Sequence, residues 1–148
     1  MSTLDELAIR DLNARYIDAV NRFHAEDWIA TWSDTATWDL MGHVVEGKEA
    51  ILATWQGAMS GFDMVVMMLS SGTVDLKISQ NEAEQATGRW YLTEHLVPGE
   101  GDANMTLGVY DDEYGLEDGH WVFTRRSYKV IYQGPPDLSG NYIPYRPD

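Results

Sequence analysis

The sequence contains no cysteine and only four histidines among its 148 residues. A disulfide framework, a thiolate metal site and a thiol nucleophile are therefore excluded, and four histidines leave little for a metal cluster. We expect a protein whose chemistry needs neither a metal nor another cofactor.

Positive charge is also scarce, because ten Lys and Arg stand against 24 Asp and Glu, for a net charge of -14. Phosphate binding needs clustered positive charge, so we expect no nucleic-acid partner and no anionic membrane surface. Eight acidic residues lie between Glu94 and Asp118, with no Lys or Arg from Trp90 to Thr124. We interpret them as a solvated acidic rim at turns and strand edges that favours solubility.

Long apolar runs are absent too, and residues 1–6 lack the charged-then-apolar pattern of a signal peptide. We therefore expect a cytoplasmic protein. The length corresponds to one domain, and 44% hydrophobic residues are enough to bury a core. Neither a repeat nor a linker interrupts the chain, so we predict a single domain over residues 1–148.

The N-terminal third has the periodicity of helices. Apolar residues recur at three- and four-residue spacing, which predicts a first helix of about five turns. Its predicted buried face consists of Leu4, Leu7, Ala8, Leu12, Tyr16, Ala19, Val20 and Phe23, and its polar face carries Asp5, Arg10, Asn13 and Asn21. A short helix around Trp28, a strand over 35–41 and a third helix opening at Gly47 follow.

Strand content dominates the remainder. An apolar segment at 64–69, leading to 73–78, predicts a buried strand, and we favour core packing over an adaptable ligand surface for its methionines. Three further strands fall at 86–92, 105–114 and 121–132, with turn residues between them. The resulting class is α+β, a cone-shaped curved antiparallel sheet with three N-terminal helices that enclose a pocket.

Several segments carry a resemblance to a known family. Residues 9–16, the Trp28 helix, 47–51 and 108–123 are similar to the SnoaL-like branch of the nuclear transport factor 2-like superfamily, over nearly the whole chain. Residues 86–92 and 127–132 most resemble the bile acid 7α-dehydratase group, with scytalone dehydratase and lindane dehydrochlorinase as more distant relatives. The resemblance implies the cone fold and a homo-oligomer, either a trimer or a dimer.

The dehydratase relatives also imply catalytic positions. Their proton transfer uses a tyrosine and an aspartate on the first helix, a histidine on the strand after the third helix, and an acid on the next strand. By resemblance the tyrosine is Tyr16 and the acid is Glu94. The histidine position falls near Leu69 or Ser70. The aspartate position is Asn21 by helix register. The chain thus departs from the relatives at two of four positions, which argues against the simple Asp–His dyad mechanism.

An alignment anchored on Trp28 instead places His24 at the aspartate position. A histidine titrates near neutral pH and suits a general base. A solvated residue at a helix end is the equally weighted alternative, so both remain open.

Strand alternation makes Glu94 a candidate general acid. If Gly88 faces the pocket, Trp90, Leu92 and Glu94 share that inner face. Desolvation among aromatic residues favours the neutral carboxyl. The alternative is a solvated edge residue near the turn at 98–102.

Arg126 and Tyr128 complete the candidate set, because they share a strand face and could hold a developing oxyanion. A β-bulge would exchange Arg126 for Arg125. The predicted substrate-binding residues are Asn21, Trp38, Leu40, Leu69, Trp90, Tyr110 and Tyr128.

These observations predict a cofactor-independent lyase for a small hydroxylated aromatic or polycyclic compound. The reaction is dehydration or formaldehyde-releasing carbon–carbon cleavage, catalysed by Glu94, Tyr16, His24 and Arg126. A non-catalytic small-molecule-binding module and a ketosteroid-type isomerase are the alternatives. The proline-rich residues 134–147 are expected to cover the pocket mouth or a neighbouring subunit.

Overall fold

The computed structural model describes residues 2–147. Its three helices are α1 (Ser2–Asn21), α2 (Ala25–Ile29) and α3 (Lys48–Met59). Its strands are β1 (Trp32–Leu40), β2 (His43–Glu46), β3 (Phe62–Ser79), β4 (Glu82–Pro98), β5 (Asn104–Glu117), β6 (His120–Gly134) and β7 (Asn141–Tyr142). Within the described range, no helix is both long enough and apolar enough to span a membrane.

The strands form one sheet in the order β2-β1-β6-β5-β4-β3, with β7 paired to β6. Neighbouring strands are antiparallel except β1 and β6, which run parallel. α1 packs against β3 and β6, and α3 packs against β1, β2 and β3. The prediction of an α+β fold with helices on one face of a curved sheet is confirmed.

Local turn chemistry sets the pairing of the C-terminal strands. The β5–β6 hairpin turns at Asp118 and Gly119, whose φ angles of 51° and 78° are the positive values of a two-residue hairpin turn. The hairpin confirms the predicted turn.

The two predicted segments at 64–69 and 73–78 are one continuous strand, β3, with a register shift between Leu69 and Ser71.

The buried face of α1 differs from the predicted one. Leu4 and Leu7 are 70% and 57% exposed, whereas Ile9 and Asn13 are buried. The prediction assumed that an asparagine belongs on the solvated face. Asn13 tolerates burial because its amide donates hydrogen bonds to the Ile9 carbonyl and the Tyr114 hydroxyl, so its polar group is not left unpaired.

Tryptophans fill the core between the short helices and the sheet. Trp28 of α2 stacks on Trp55 of α3, with ring centroids 4.6 Å apart and planes 9° apart. It also contacts Trp32 and Trp38 of β1 at centroid distances of 5.6 Å and 5.4 Å. Because these large rings pack on one another, they fix α2 and α3 against β1.

Candidate active site

A cavity of about 190 Å³ lies between α1, α3 and the inner face of the sheet. Its wall is mostly apolar. Ligand pockets for drug-sized molecules commonly measure about 300–1,000 Å³. This cavity is smaller, and its size suits one substituted aromatic ring.

Glu94 is the carboxyl group of this wall. It lies on the inner face of β4 in line with the buried Trp90 and Leu92, as the alternation predicts. Tyr128 on β6 donates its hydroxyl proton to Glu94 Oε2 over 2.6 Å. Burial raises the pKa of Glu94, and the hydrogen bond from Tyr128 opposes that rise. The protonated carboxyl is thereby favoured.

Two more phenols face the same cavity, Tyr16 from α1 and Tyr110 from β5. Their hydroxyl oxygens lie 3.1 Å apart and share one hydrogen bond. Burial raises the pKa of both hydroxyls, although nearby Arg126 opposes the rise. Both tyrosines are therefore neutral hydrogen-bonding groups rather than bases.

Arg126 lies behind this wall rather than in it, with 1% of its side chain exposed. Its Nε donates to Asp112 Oδ1 over 2.8 Å and its Nη2 donates to Asp112 Oδ2 over 3.0 Å. The same Nη2 also donates to Asn13 Oδ1 over 3.0 Å. Burial alone would lower the pKa of Arg126, but the Asp112 carboxylate together with Tyr16 and Tyr110 outweighs burial, so the pKa is raised. The guanidinium stays charged.

Further hydrogen bonds complete the surroundings of Asp112. Tyr114 donates its hydroxyl proton to Asp112 Oδ2 over 2.7 Å and accepts from Trp90 Nε1 over 2.9 Å. Burial raises the pKa of Asp112, and the Arg126 guanidinium opposes that rise. Arg126, Asp112, Asn13, Tyr114 and Trp90 form one buried polar cluster, which we call the buried arginine cluster.

The structure brings together some of the predicted site residues. Those that line the cavity are Tyr16, Trp38, Leu40, Glu94, Tyr110 and Tyr128. Those outside its wall are Asn21, His24, Leu69, Trp90 and Arg126. Leu69 packs against the core, and Trp90 belongs to the buried arginine cluster.

The prediction of His24 as a base does not fit its position. Its Nδ1 accepts a hydrogen bond from the Asp27 backbone N–H over 3.2 Å, so it caps the start of α2. The side chain is 44% exposed. Phe23, two residues after the end of α1, has a positive φ of 55°, so the chain turns there. His24 therefore lies at the start of α2 and not in the cavity wall.

Asn21 also serves the backbone rather than a substrate. Its Nδ2 donates to the Met67 carbonyl over 3.0 Å, and its Oδ1 accepts from the Met67 N–H over 2.7 Å. Both functional atoms of the amide are thus used to join the end of α1 to β3.

The choice between the two adjacent arginines is resolved by their partners. Arg125 points to the outer side and pairs with Asp39 Oδ2 at 3.2 Å, whereas Arg126 points inward. The predicted direct contact of Arg126 with substrate is nevertheless wrong for this structure. Asp112 and Asn13 accept from its Nε and Nη2 atoms, and it does not line the cavity.

Asp112 and Asn13 are the residues that the sequence interpretation missed. Asp112 was counted with the solvated acidic rim, but it is buried. Strand alternation offered a signal, because Asp112 shares its face with Tyr110 and Tyr114. Across residues 2–147, no three His, Asp or Glu side chains group closely enough to hold a metal ion.

Known proteins share this architecture. A family model described as a SnoaL-like domain matches residues 1–127. The comparison with curated proteins finds no match.

Solved structures share the fold. A candidate scytalone dehydratase from Novosphingobium aromaticivorans DSM 12444 has a TM-score of 0.83 at 18% identity, covering 99% of this chain and 97% of that one. LinA has a TM-score of 0.75 at 26% identity, covering 99% of this chain and 100% of its own.

A third similar structure is the hexachlorocyclohexane dehydrochlorinase LinA-type3 from Novosphingobium barchaimii LL02, with a TM-score of 0.75 at 22% identity. It covers 98% of this chain and 97% of that one. The family model extends over well more than half of the chain, from residue 1 to 127. This protein belongs to the SnoaL-like domain family.

Proposed function

We propose that this protein is a cofactor-independent lyase that acts on a small hydroxylated aromatic compound by acid–base catalysis at Glu94. The observation that carries the proposal is a half-buried carboxyl group, hydrogen-bonded by Tyr128, in the wall of an otherwise mostly apolar cavity. Similarity to a candidate dehydratase and to dehydrochlorinases, which eliminate water and hydrogen chloride by name, supports the lyase class.

The raised pKa of Glu94 suits the first step of such an elimination. The protonated carboxyl gives its proton to a benzylic hydroxyl, the carbon–oxygen bond breaks, and water leaves. A para-hydroxyl on the ring passes its proton to a water molecule as the electrons shift, so the intermediate is a neutral quinone methide. The substrate itself accepts the electrons.

The ionised Glu94 then completes either of two second steps. If it removes a proton from the neighbouring carbon, an alkene forms and the reaction is a dehydration. If it removes the proton of a neighbouring hydroxymethyl group, the carbon–carbon bond breaks and formaldehyde leaves. In both cases the electrons of the broken bond form the new double bond and restore the aromatic ring, and Glu94 regains its proton. The ring oxygen then takes back a proton from water, which restores the phenol.

Tyr128 assists Glu94 in both directions of proton transfer. Burial and the neighbouring carboxylate raise the pKa of Tyr128, so it remains a donor. The hydrogen bond from the Tyr128 hydroxyl favours the carboxylate form of Glu94. It therefore limits the rise in the pKa of Glu94, so that Glu94 can still release its proton. Tyr128 also fixes which carboxyl oxygen faces the cavity.

The test is Glu94→Gln with para-hydroxyaryl carbinols as substrates, with and without a neighbouring hydroxymethyl group. We expect turnover to fall roughly 10²–10⁴-fold, which is typical for loss of a general acid–base, while the substrate still raises the melting temperature. Glu113→Gln on the exposed face of β5 is the matched control and should leave turnover intact. Product mass separates loss of water alone from loss of water plus formaldehyde.

A non-catalytic binding module on the same cone is the second candidate. Among residues 2–147, neither a second carboxyl group nor a histidine lines the wall beside Glu94, which favours it. By resemblance, the histidine position of the relatives falls near Leu69 or Ser70 and the aspartate position at Asn21. A binding module predicts ligand binding without product and unchanged affinity in Glu94→Gln. A product of unchanged mass would instead indicate an isomerase.

A further inference from the structure

The paired hydroxyls of Tyr16 and Tyr110 have hydrogen-bonding capacity that the fold does not use. The two hydroxyls carry two protons, and the hydrogen bond between them, 3.1 Å long, uses one of these protons. Among residues 2–147, no second acceptor takes the other proton. Because both residues line the cavity, that proton is available to an oxygen atom of a bound molecule.

A buried cation lies directly behind these two rings. The Cζ atom of Arg126 is 3.8 Å from the ring centroid of Tyr110 and 4.4 Å from that of Tyr16. The Asp112 carboxylate accepts hydrogen bonds from Nε and Nη2 and so lies at one edge of the guanidinium plane. The Tyr16 and Tyr110 rings pack against the face of the guanidinium, over Cζ. A cation in a dry environment favours negative charge on an oxygen near the two hydroxyls.

The tyrosines themselves do not supply that negative charge. Burial raises the pKa of Tyr16 and, further, that of Tyr110, despite the opposing effect of Arg126. A bound phenol of ordinary or greater acidity therefore gives up its proton before either tyrosine. The pair then acts as a donor to a phenolate oxygen.

The pair also shares the cavity wall with Glu94. Tyr110 contacts Tyr128 with ring centroids 4.8 Å apart, and Tyr128 is bonded to Glu94. The phenol-binding atoms and the acid–base group are therefore separated by a single tyrosine neighbour. A para-substituted ring can place its phenolic oxygen at one and its benzylic carbon toward the other.

Resting on the lyase function proposed above, we propose that the Tyr16–Tyr110 hydroxyl pair, backed by Arg126, is a subsite for the phenolic oxygen of the substrate. Arg126 is a positioning residue, because it acts through the two tyrosines without touching the substrate. The subsite selects free phenols over their ethers, since an ether oxygen cannot carry the negative charge that the cation favours.

The probe is 4-nitrophenol, whose anion absorbs at longer wavelength than its neutral form, with 4-nitroanisole as the ether. We expect the folded protein to bind 4-nitrophenol with a larger ionised fraction than the free dye has at the same pH. 4-Nitroanisole should bind roughly tenfold more weakly or worse, as for the loss of one charge-assisted hydrogen bond.

Tyr110→Phe and Tyr16→Phe should each weaken dye binding about tenfold and reduce the bound anion fraction. Tyr91→Phe makes the same chemical change on the outer face of β4 and should alter neither. Circular dichroism and melting temperature verify that each variant is folded. Equal affinity for the phenol and its ether, or a bound anion fraction unchanged in both cavity variants, overturns the subsite.

The same measurements separate this subsite from the lyase function. Glu94-dependent turnover without tyrosine-dependent dye binding overturns the subsite and leaves the lyase in place. Tyrosine-dependent binding of the phenolate by a protein that turns over no para-hydroxyaryl carbinol supports the subsite and counts against the lyase.

Discussion

Glu94 contributes to stability in a way that depends on pH. Burial raises its pKa in the folded chain, so the folded state binds more protons than the unfolded state between the ordinary and the raised values. The contribution is complete below the ordinary glutamate pKa of about 4.3 and is lost as pH rises through the raised value. Glu94→Gln removes this dependence.

We therefore expect the wild-type free energy of unfolding to fall relative to that of Glu94→Gln as pH increases from about 4. Urea unfolding of both proteins across this range gives the difference directly. A difference that stays constant or changes in the opposite direction would contradict the buried setting of Glu94.

The ion pair between Arg126 and Asp112 is fully buried, which makes the loss of one partner costly. Asp112→Ala leaves the guanidinium without its main counter-charge, and we expect a loss of about 3–5 kcal/mol. Replacing both partners, as in Arg126→Met with Asp112→Leu, should cost less than the single change because no buried charge remains. Urea unfolding measures both, with Asp75→Ala on the exposed side of β3 as the control.

Sequence patterns predicted some of these residues better than others. Alternation along β4 was enough to place Glu94 on the inner face, because strand side chains have a strict period of two. The partners of Arg126 were not predictable in the same way. Asn13 and Asp112 lie 113 and 14 positions away along the chain, and only the packing of α1 on the sheet brings them together.

Register and close packing act at the scale of the strand. Gly72 of β3 lies against Trp90 of β4, and a Cβ atom added there would be 2.1 Å from Trp90 Cε3 and 2.7 Å from the Arg89 carbonyl oxygen. Gly72→Ala must displace the ring or the backbone. We expect the free energy of unfolding to fall by about 1–3 kcal/mol or more.

Gly57 in α3 is the matched control, because no atom lies within 4 Å of a Cβ added there. Alanine favours the helix over glycine by about 0.5–1 kcal/mol, so Gly57→Ala should raise stability. Thermal and urea unfolding compare the two variants. If both substitutions change the free energy of unfolding in the same direction, the packing of Gly72 against Trp90 is not as the structure places it.

The spacing of apolar residues predicts where a helix lies in the chain, but it is not sufficient to predict which face of α1 is buried. The extent of α1 was predictable from its repeating apolar residues, but its buried face was not. Leu4 and Leu7 are exposed because α1 packs on β3 and β6 through Ile9, Asn13 and Tyr16. The position of the sheet decides which face is covered, and hydrogen bonding makes a polar residue acceptable there.

The C-terminal residues show how the whole chain is arranged around the sheet. They were expected to cover the cavity mouth or a neighbouring subunit, but Tyr145 lies on the outer face. Its hydroxyl donates to Asp111, and its ring contacts Tyr91 and the Arg89 guanidinium. The cavity lies on the other face of the same strands, so the tail and the site are separated by the sheet.

Deleting residues 141–148 should therefore lower stability without altering the site. The deletion removes the short β7 pairing with Tyr132 and Gln133 and uncovers the apolar ring of Tyr91, so we expect a lower melting temperature. Affinity for 4-nitrophenol and turnover should stay within about twofold of the full chain, because none of residues 129–147 lines the cavity. Tyr145→Phe keeps the ring and loses the hydrogen bond to Asp111, so its melting temperature should lie between those of the full chain and the deletion variant. A deletion that weakens dye binding while its melting temperature is unchanged would place the tail over the cavity instead.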